Sequence, residues 1–165
     1  MANAIIIGAG VAGLGAALAL GRDGHEVTII ERDATPMPAR ADDAFEWDRR
    51  GAPQVRHSHM FLARLRNILR DEFPDVREAA LAAGATELTI GEMLPEGLDT
   101  TPMEGDEDLA MLACRRTTFE WVLRCKALEQ DHVTIRTGDG VSGVLAEDGR
   151  VVGVRLESGE ELRAD

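Results

Sequence analysis

The first thirty residues change their hydrophobic pattern twice. Residues 4–7 (Ala-Ile-Ile-Ile) are a continuous apolar run of strand length. From residue 11 onward Ala and Leu recur at helical spacing until Gly24, where a left-handed position after the last turn favours glycine. Residues 27–30 (Val-Thr-Ile-Ile) are a second apolar run, closed by Glu31. The pattern predicts strand, turn, helix, strand and a terminal acid within one unit of about thirty residues.

Further on, the pattern is interrupted. Residues 34–58 hold Pro36, Pro38, Gly51 and Pro53 among mixed charges, which predicts a long loop with a piece of helix around Asp43 to Arg49. Phe61, Leu62, Leu65, Ile68, Leu69 and Phe73 follow the 3.6-residue period and predict an amphipathic helix stopped by Pro74. Asp75 with Glu78 has capping-box spacing for a second helix, which Gly84 ends. Glu87 to Ile90 fits a short strand, Pro95 to Asp108 an acidic loop, and Leu109 to Cys114 another strand. Thr117 and Glu120 again have capping-box spacing, so a helix is expected from there to about Glu129. Residues 132–137 alternate as a third parallel-type strand. Residues 141–146, 151–156 and 161–164 then form a meander turned at Asp148-Gly149 and Ser158-Gly159.

Chemistry concentrates in the first unit. Gly8, Gly10 and Gly13 have the G-x-G-x-x-G spacing, directly after a strand and at the opening of a helix. Gly8 allows a tight turn, Gly10 removes a Cβ where backbone meets a pyrophosphate, and Gly13 allows close helix packing. The turn Gly8, Ala9, Gly10, Val11, Ala12, Gly13 would bring free N–H groups and the positive helix end to the phosphates. Glu31, 18 residues after Gly13, is placed to accept hydrogen bonds from ribose hydroxyls and disfavours a 2′-phosphate. A membrane span fits the uncharged stretch from Ala4 to Leu20 poorly: it has 17 residues, four of them glycines, against the ~20 apolar residues a span needs.

The residues Gly8 to Leu14 (Gly-Ala-Gly-Val-Ala-Gly-Leu), with Ala17, Leu18, Gly24 and the pair Glu31-Arg32, resemble the FAD-binding signature of flavoprotein monooxygenases and related oxidoreductases. That resemblance implies FAD as cofactor and a Rossmann-like FAD/NAD(P)-binding α/β fold, with a parallel sheet and a β-meander. It also implies a single FAD-binding domain over residues 1–165, carrying an inserted irregular and helical segment at about 34–113. Arg116, with Phe119, Glu120 and Leu123, is similar to the family's arginine-bearing helix start, whose arginine contacts FAD; Arg32 and Arg116 join the expected cofactor set. The segment Ala-Pro-Gln-x-Arg-His-Ser-His at 52–59, followed by Phe61-Leu62-x-Arg64-Leu65, resembles a stretch of bacterial FAD-dependent monooxygenases expected near the flavin. The resemblance spans only the front part of such enzymes. The fold is expected to be incomplete at its C-terminus, without the second FAD-contacting motif and the floor of a substrate pocket.

Composition narrows the partners. The chain has 165 residues, 44% hydrophobic and 29% charged, as expected of a globular domain. A net charge of −12 opposes nucleic acid and anionic membrane surfaces. Cys114 and Cys125 match no metal or redox spacing and are expected to be idle thiols; with no secretory signal, the expected location is the cytoplasm. His57 and His59 lie two residues apart with no further ligand at a recognisable spacing, so no metal is expected.

In the resembled family NAD(P)H reduces the flavin and one atom of oxygen passes to an organic small molecule. This implies an oxidoreductase whose flavin carries the chemistry. No residue presents itself as a general acid or base. A related FAD-dependent reductase or halogenase, and a non-catalytic dinucleotide-binding fragment, share the same front portion. NAD alone also fits the first unit.

Overall fold

The computed structural model describes residues 1–51 and 57–165. Its centre is a parallel sheet of β1 (Asn3–Ile7), β2 (Glu26–Glu31) and β6 (Val133–Thr137), with β2 in the middle. Ile6 lies opposite Ile29, and Ile29 opposite Ile135. Side chains alternate across a strand. Val27, Ile29 and Val133 therefore face one side, where α1 (Val11–Arg22) and α5 (Arg116–Leu128) pack with Leu14, Leu18, Phe119 and Val122. Ile30 faces the other side and meets Val154 and Leu156 of a meander.

The meander consists of β7 (Val141–Glu147), β8 (Arg150–Leu156) and β9 (Glu161–Arg163). Both residues of its first turn, Asp148 and Gly149, have positive φ (49° and 77°), the mirror-image turn that suits the twist of paired strands. Arg136 on β6 pairs with Glu160 at 2.6 Å and ties the meander to the sheet edge. At the opposite edge, the Asp165 N–H donates to the Asn3 carbonyl.

Between β2 and α5 the chain forms a second sheet. β3 (Ser58–Phe61), β5 (Met111–Arg115) and β4 (Thr86–Leu88) form an antiparallel sheet in that order. α2 (Ala63–Asp71), α3 (Pro74–Ala82) and a single turn, α4 (Ile90–Met93), connect them. Leu69, Val76 and Ala80 join the core around α1 and α5. α1 and α3 end alike: His25 N–H bonds to Leu20 O and Ala85 N–H to Ala80 O, with Gly24 and Gly84 at positive φ. These are Schellman closures, as the two glycines predict.

Several local expectations give way to tertiary contacts. Phe61 belongs to β3 rather than to a helix, because Ser58–Phe61 pairs antiparallel with Leu112–Arg115. Pro74 does not merely stop α2; it occupies the first turn of α3, where a missing N–H costs nothing. Asp75 therefore caps nothing and pairs with Arg22 at 2.6 Å. α5 starts at Arg116 without a side-chain cap, and Thr117 and Glu120 are buried inside it. The capping box forms instead at Thr89 and Glu92, at the head of α4. The helical piece expected at 43–49 is a 3-10 turn at Ala41–Glu46.

Candidate functional site

Gly8 leaves β1 with φ +97°, a left-handed value that favours glycine, while its N–H donates to Ile30 O at 2.8 Å. Gly13 lies across the turn. A Cβ there would run into the Gly8 carbonyl oxygen and crowd the Ile6 side chain at 3.2 Å. Gly10, the residue before α1, has nothing within 4 Å of the place a Cβ would take. The turn is thus closed on the protein side and open on the other.

The first intrahelical amide bond of α1 runs from Leu14 N–H to Gly10 O. The amides of Val11, Ala12 and Gly13 precede it and have no helical acceptor. Among the described residues no side chain caps this end and no acid stands in its first turn. The positive helix end is available to an anion. Ala9 differs from its neighbours: it is fully buried, and its N–H donates to Glu31 Oε2 at 2.9 Å.

Glu31 ends β2 beside this turn. Its Oε2 also accepts from Arg49 Nη2 at 3.1 Å, and its Oε1 accepts from the Asp33 N–H at 2.9 Å. Burial by itself would raise its pKa. The amides of Asp33 and Ala9 and the guanidinium of Arg49 outweigh that and hold the carboxyl below its ordinary value. The same balance holds for Asp33: burial opposes ionisation, and Thr35 and Arg49 more than compensate. Glu31 nevertheless reaches a cavity of about 220 Å³ at the carboxyl ends of the parallel strands, bordered by Gly8, Arg32, Gly140, Val141 and Glu157. Arg32 is exposed and also borders a larger, open cavity of about 670 Å³ beside Asp33, Thr35 and Arg50.

Arg49 is the residue sequence reasoning missed. It is 5% exposed and binds three carboxylates: Glu31, Asp33 at 2.9 Å and Glu120 at 2.7 Å. Trp47 lies against it, with the guanidinium 5.0 Å from the ring, and Arg124 faces the same ring at 5.6 Å. Burial and then the nearby Arg49 charge lower the Arg124 pKa. Glu31 and Asp33, two apart at a strand end, were a visible signal. Nothing local separates Arg49 from Arg32, Arg40 or Arg50.

Arg116 opens α5, one helical turn before Glu120 on the same face. Its Nε is buried without a hydrogen-bond partner among the described residues, and none of the described acids pairs with it. Arg115 points elsewhere, over the Phe45 ring at 4.4 Å. Residues 52–56 of the segment expected near a flavin, with Pro53, Gln54 and Arg56, lie outside the described residues. His59 Nδ1 sits 2.8 Å from the His57 carbonyl oxygen. No set of three or more His, Cys, Asp or Glu is gathered for a metal among the described residues. Both cysteines are free, and burial pushes the Cys114 thiol up to about 11. No helix among the described residues is long and apolar enough to cross a membrane.

Comparison with known proteins agrees with this geometry. Residues 3–40 match the family model of FAD dependent oxidoreductases. Protein Rv3254 of Mycobacterium tuberculosis is 31% identical over 94% of this chain, which spans 33% of that relative. The chain thus covers about a third of the length of the curated relatives it matches. PqsL of Pseudomonas aeruginosa, a probable FAD-dependent monooxygenase, superposes with a TM-score of 0.64 at 15% identity, over 98% of this chain and 40% of its own. CtdE, solved in complex with FAD and a substrate, superposes with a TM-score of 0.66 at 19% identity, over all of this chain and 36% of its own. The fold is the Rossmann-like α/β fold of FAD-binding monooxygenases, and the resemblance to FAD-dependent oxidoreductases is present in sequence over the first unit.

Proposed function

We propose that this chain is the FAD-binding front portion of a flavin-dependent monooxygenase that acts on an organic small molecule with NAD(P)H and oxygen. The observation that carries the reading is the conjunction of an uncapped α1 start on an open glycine turn with the strand-end acid Glu31 at a cavity beside it. Arg116, a cation whose buried Nε has no partner among the described residues, adds a donor suited to an anionic oxygen.

The residues fit the group. The Val11, Ala12 and Gly13 amides would hold the pyrophosphate, with Gly10 giving the phosphates room. Glu31 would take a ribose hydroxyl and Arg32 would border the nucleoside. The 220 Å³ cavity is smaller than the ~300–1,000 Å³ of a drug-sized ligand, which suits one end of a dinucleotide rather than the whole. Arg116 would contact the remaining phosphate or ribityl oxygens. Bound FAD would supply the redox chemistry, and this chain would bind and orient it.

In this reading the segment at about 34–113 is an insertion within one FAD-binding unit. The partner is a small molecule rather than nucleic acid or membrane, in keeping with a net charge of −12. The location is the cytoplasm. The test is the visible absorption spectrum of the purified chain after FAD is added and free cofactor removed. Retained flavin bands that vanish in Gly10→Val support the reading. Bands retained equally in Gly10→Val would move the site elsewhere.

A further inference from the structure

An ionised carboxylate offers about four acceptor positions. Both positions on Glu31 Oε2 are taken, by the Ala9 amide and by Arg49. One on Oε1 is taken by the Asp33 amide. Among the described residues nothing takes the second position on Oε1, and Glu31 borders a cavity. Two of the three bonds that orient this carboxylate come from backbone amides, of Ala9 in the glycine turn and of Asp33 two residues on. The third comes from the Arg49 side chain, 18 residues away and just after the 3-10 turn Ala41–Glu46.

Arg49 does not hold Glu31 alone. Its fork reaches β2, the loop after β2, and α5 at once, through Glu31, Asp33 and Glu120. The loop that carries it is fixed independently, since Trp121 Nε1 donates to Pro38 O at 2.8 Å. The cluster sets three buried carboxylates against the two cations Arg49 and Arg124. Without Arg49 a further negative charge would face the dinucleotide phosphates across the glycine turn.

We infer that Arg49 is a positioning residue of the nucleotide site, which acts through Glu31 by fixing the carboxylate so that one Oε1 position faces the ribose. The inference rests on the FAD reading above and names a residue that reading does not use. Lysine cannot replace it: an ammonium is a compact point charge and does not present a planar fork to three acceptors.

The test is a double-mutant cycle on FAD affinity, with the thermal midpoint of the FAD-free chain measured for each variant. Arg49→Lys is expected to weaken FAD about tenfold in the otherwise unchanged chain, and by less than twofold when Glu31→Gln is already present. Equal weakening in both backgrounds would overturn the inference, because Arg49 would then act on the ligand directly or on the fold at large. So would unchanged affinity in a folded Arg49→Lys chain. If Arg49→Lys does not fold, the triple replacement Arg49→Met/Asp33→Asn/Glu120→Met is measured, which removes the cation together with two of the three carboxylates it binds and leaves Glu31 its two amide donors and the nearby Arg124 charge. It should fold and show the same weakened, Glu31-dependent affinity. Failure of both variants to fold makes Arg49 structural only and also overturns the inference. An unchanged chain that takes up no FAD defeats the cofactor reading itself, a result distinct from all of these.

Discussion

The α-carbon of Gly13 sits against the carbonyl oxygen of Gly8, so closely that no side chain fits between the helix start and the turn. Because the obstacle is backbone, it cannot rotate away. Gly13→Ala is therefore expected to cost about 2–3 kcal/mol of stability, the upper range for forcing volume into a packed site. Denaturant unfolding measures it, and a loss under about 0.5 kcal/mol would contradict the packing described.

Gly10 should behave in the opposite way. Space is open at its Cβ position, and it precedes α1 in extended backbone with φ −81° and ψ −179°. Gly10→Ala should reduce stability by no more than about 1 kcal/mol, the scale of an N-cap change. FAD affinity should fall at least tenfold if the phosphates approach there. A parallel measurement of thermal midpoint and FAD binding separates the two effects.

Arg116→Met keeps the hydrocarbon stem and removes the charge. No described residue pairs with this guanidinium, so the FAD-free chain should melt within a few degrees of the unchanged one. A hydrogen bond from a charged group is worth about 1.5–3 kcal/mol, so FAD should bind roughly 10–100-fold more weakly. Equal binding by both chains, followed by flavin fluorescence, would remove Arg116 from the site.

Acid should loosen the packing of α2 and α3 on β4 through Glu87. Arg77 holds this carboxylate at 2.7 Å and Arg66 at 2.9 Å, and together they bring its pKa down to about 2 against burial. A depressed folded pKa stabilises above the unfolded value, and that stability is lost as pH falls from about 4.5 toward 2. The contribution is at most about 3 kcal/mol. Between pH 5 and pH 2 the unchanged chain should lose more stability than Glu87→Gln, in which no carboxylate remains to titrate. Identical pH profiles would show that the pair of arginines does not stabilise the charge.

Local chemistry explains why so much of the first unit was legible. Residues 4–7 and 27–30 are apolar runs of strand length, and a Gly-rich turn can only bend where glycine permits positive φ, as at Gly8. Gly24, Gly84 and the Asp148-Gly149 turn act within a few residues of themselves, so their roles follow from adjacency. The same holds for the strand order of the meander, whose hairpins join neighbours in the chain.

The remainder depended on partners distant in sequence. Ser58–Phe61 became a strand because Leu112–Arg115, some fifty residues away, offered an edge. Glu120 has the spacing of a capping partner for Thr117, yet α5 buries it and Arg49 claims it from 71 residues away. Glu31 could be identified from its place at the end of an apolar run. The identity of its keeper could not. A buried carboxylate must be neutralised by whatever cation the folded chain brings within reach, and that choice is made by packing rather than by local spacing.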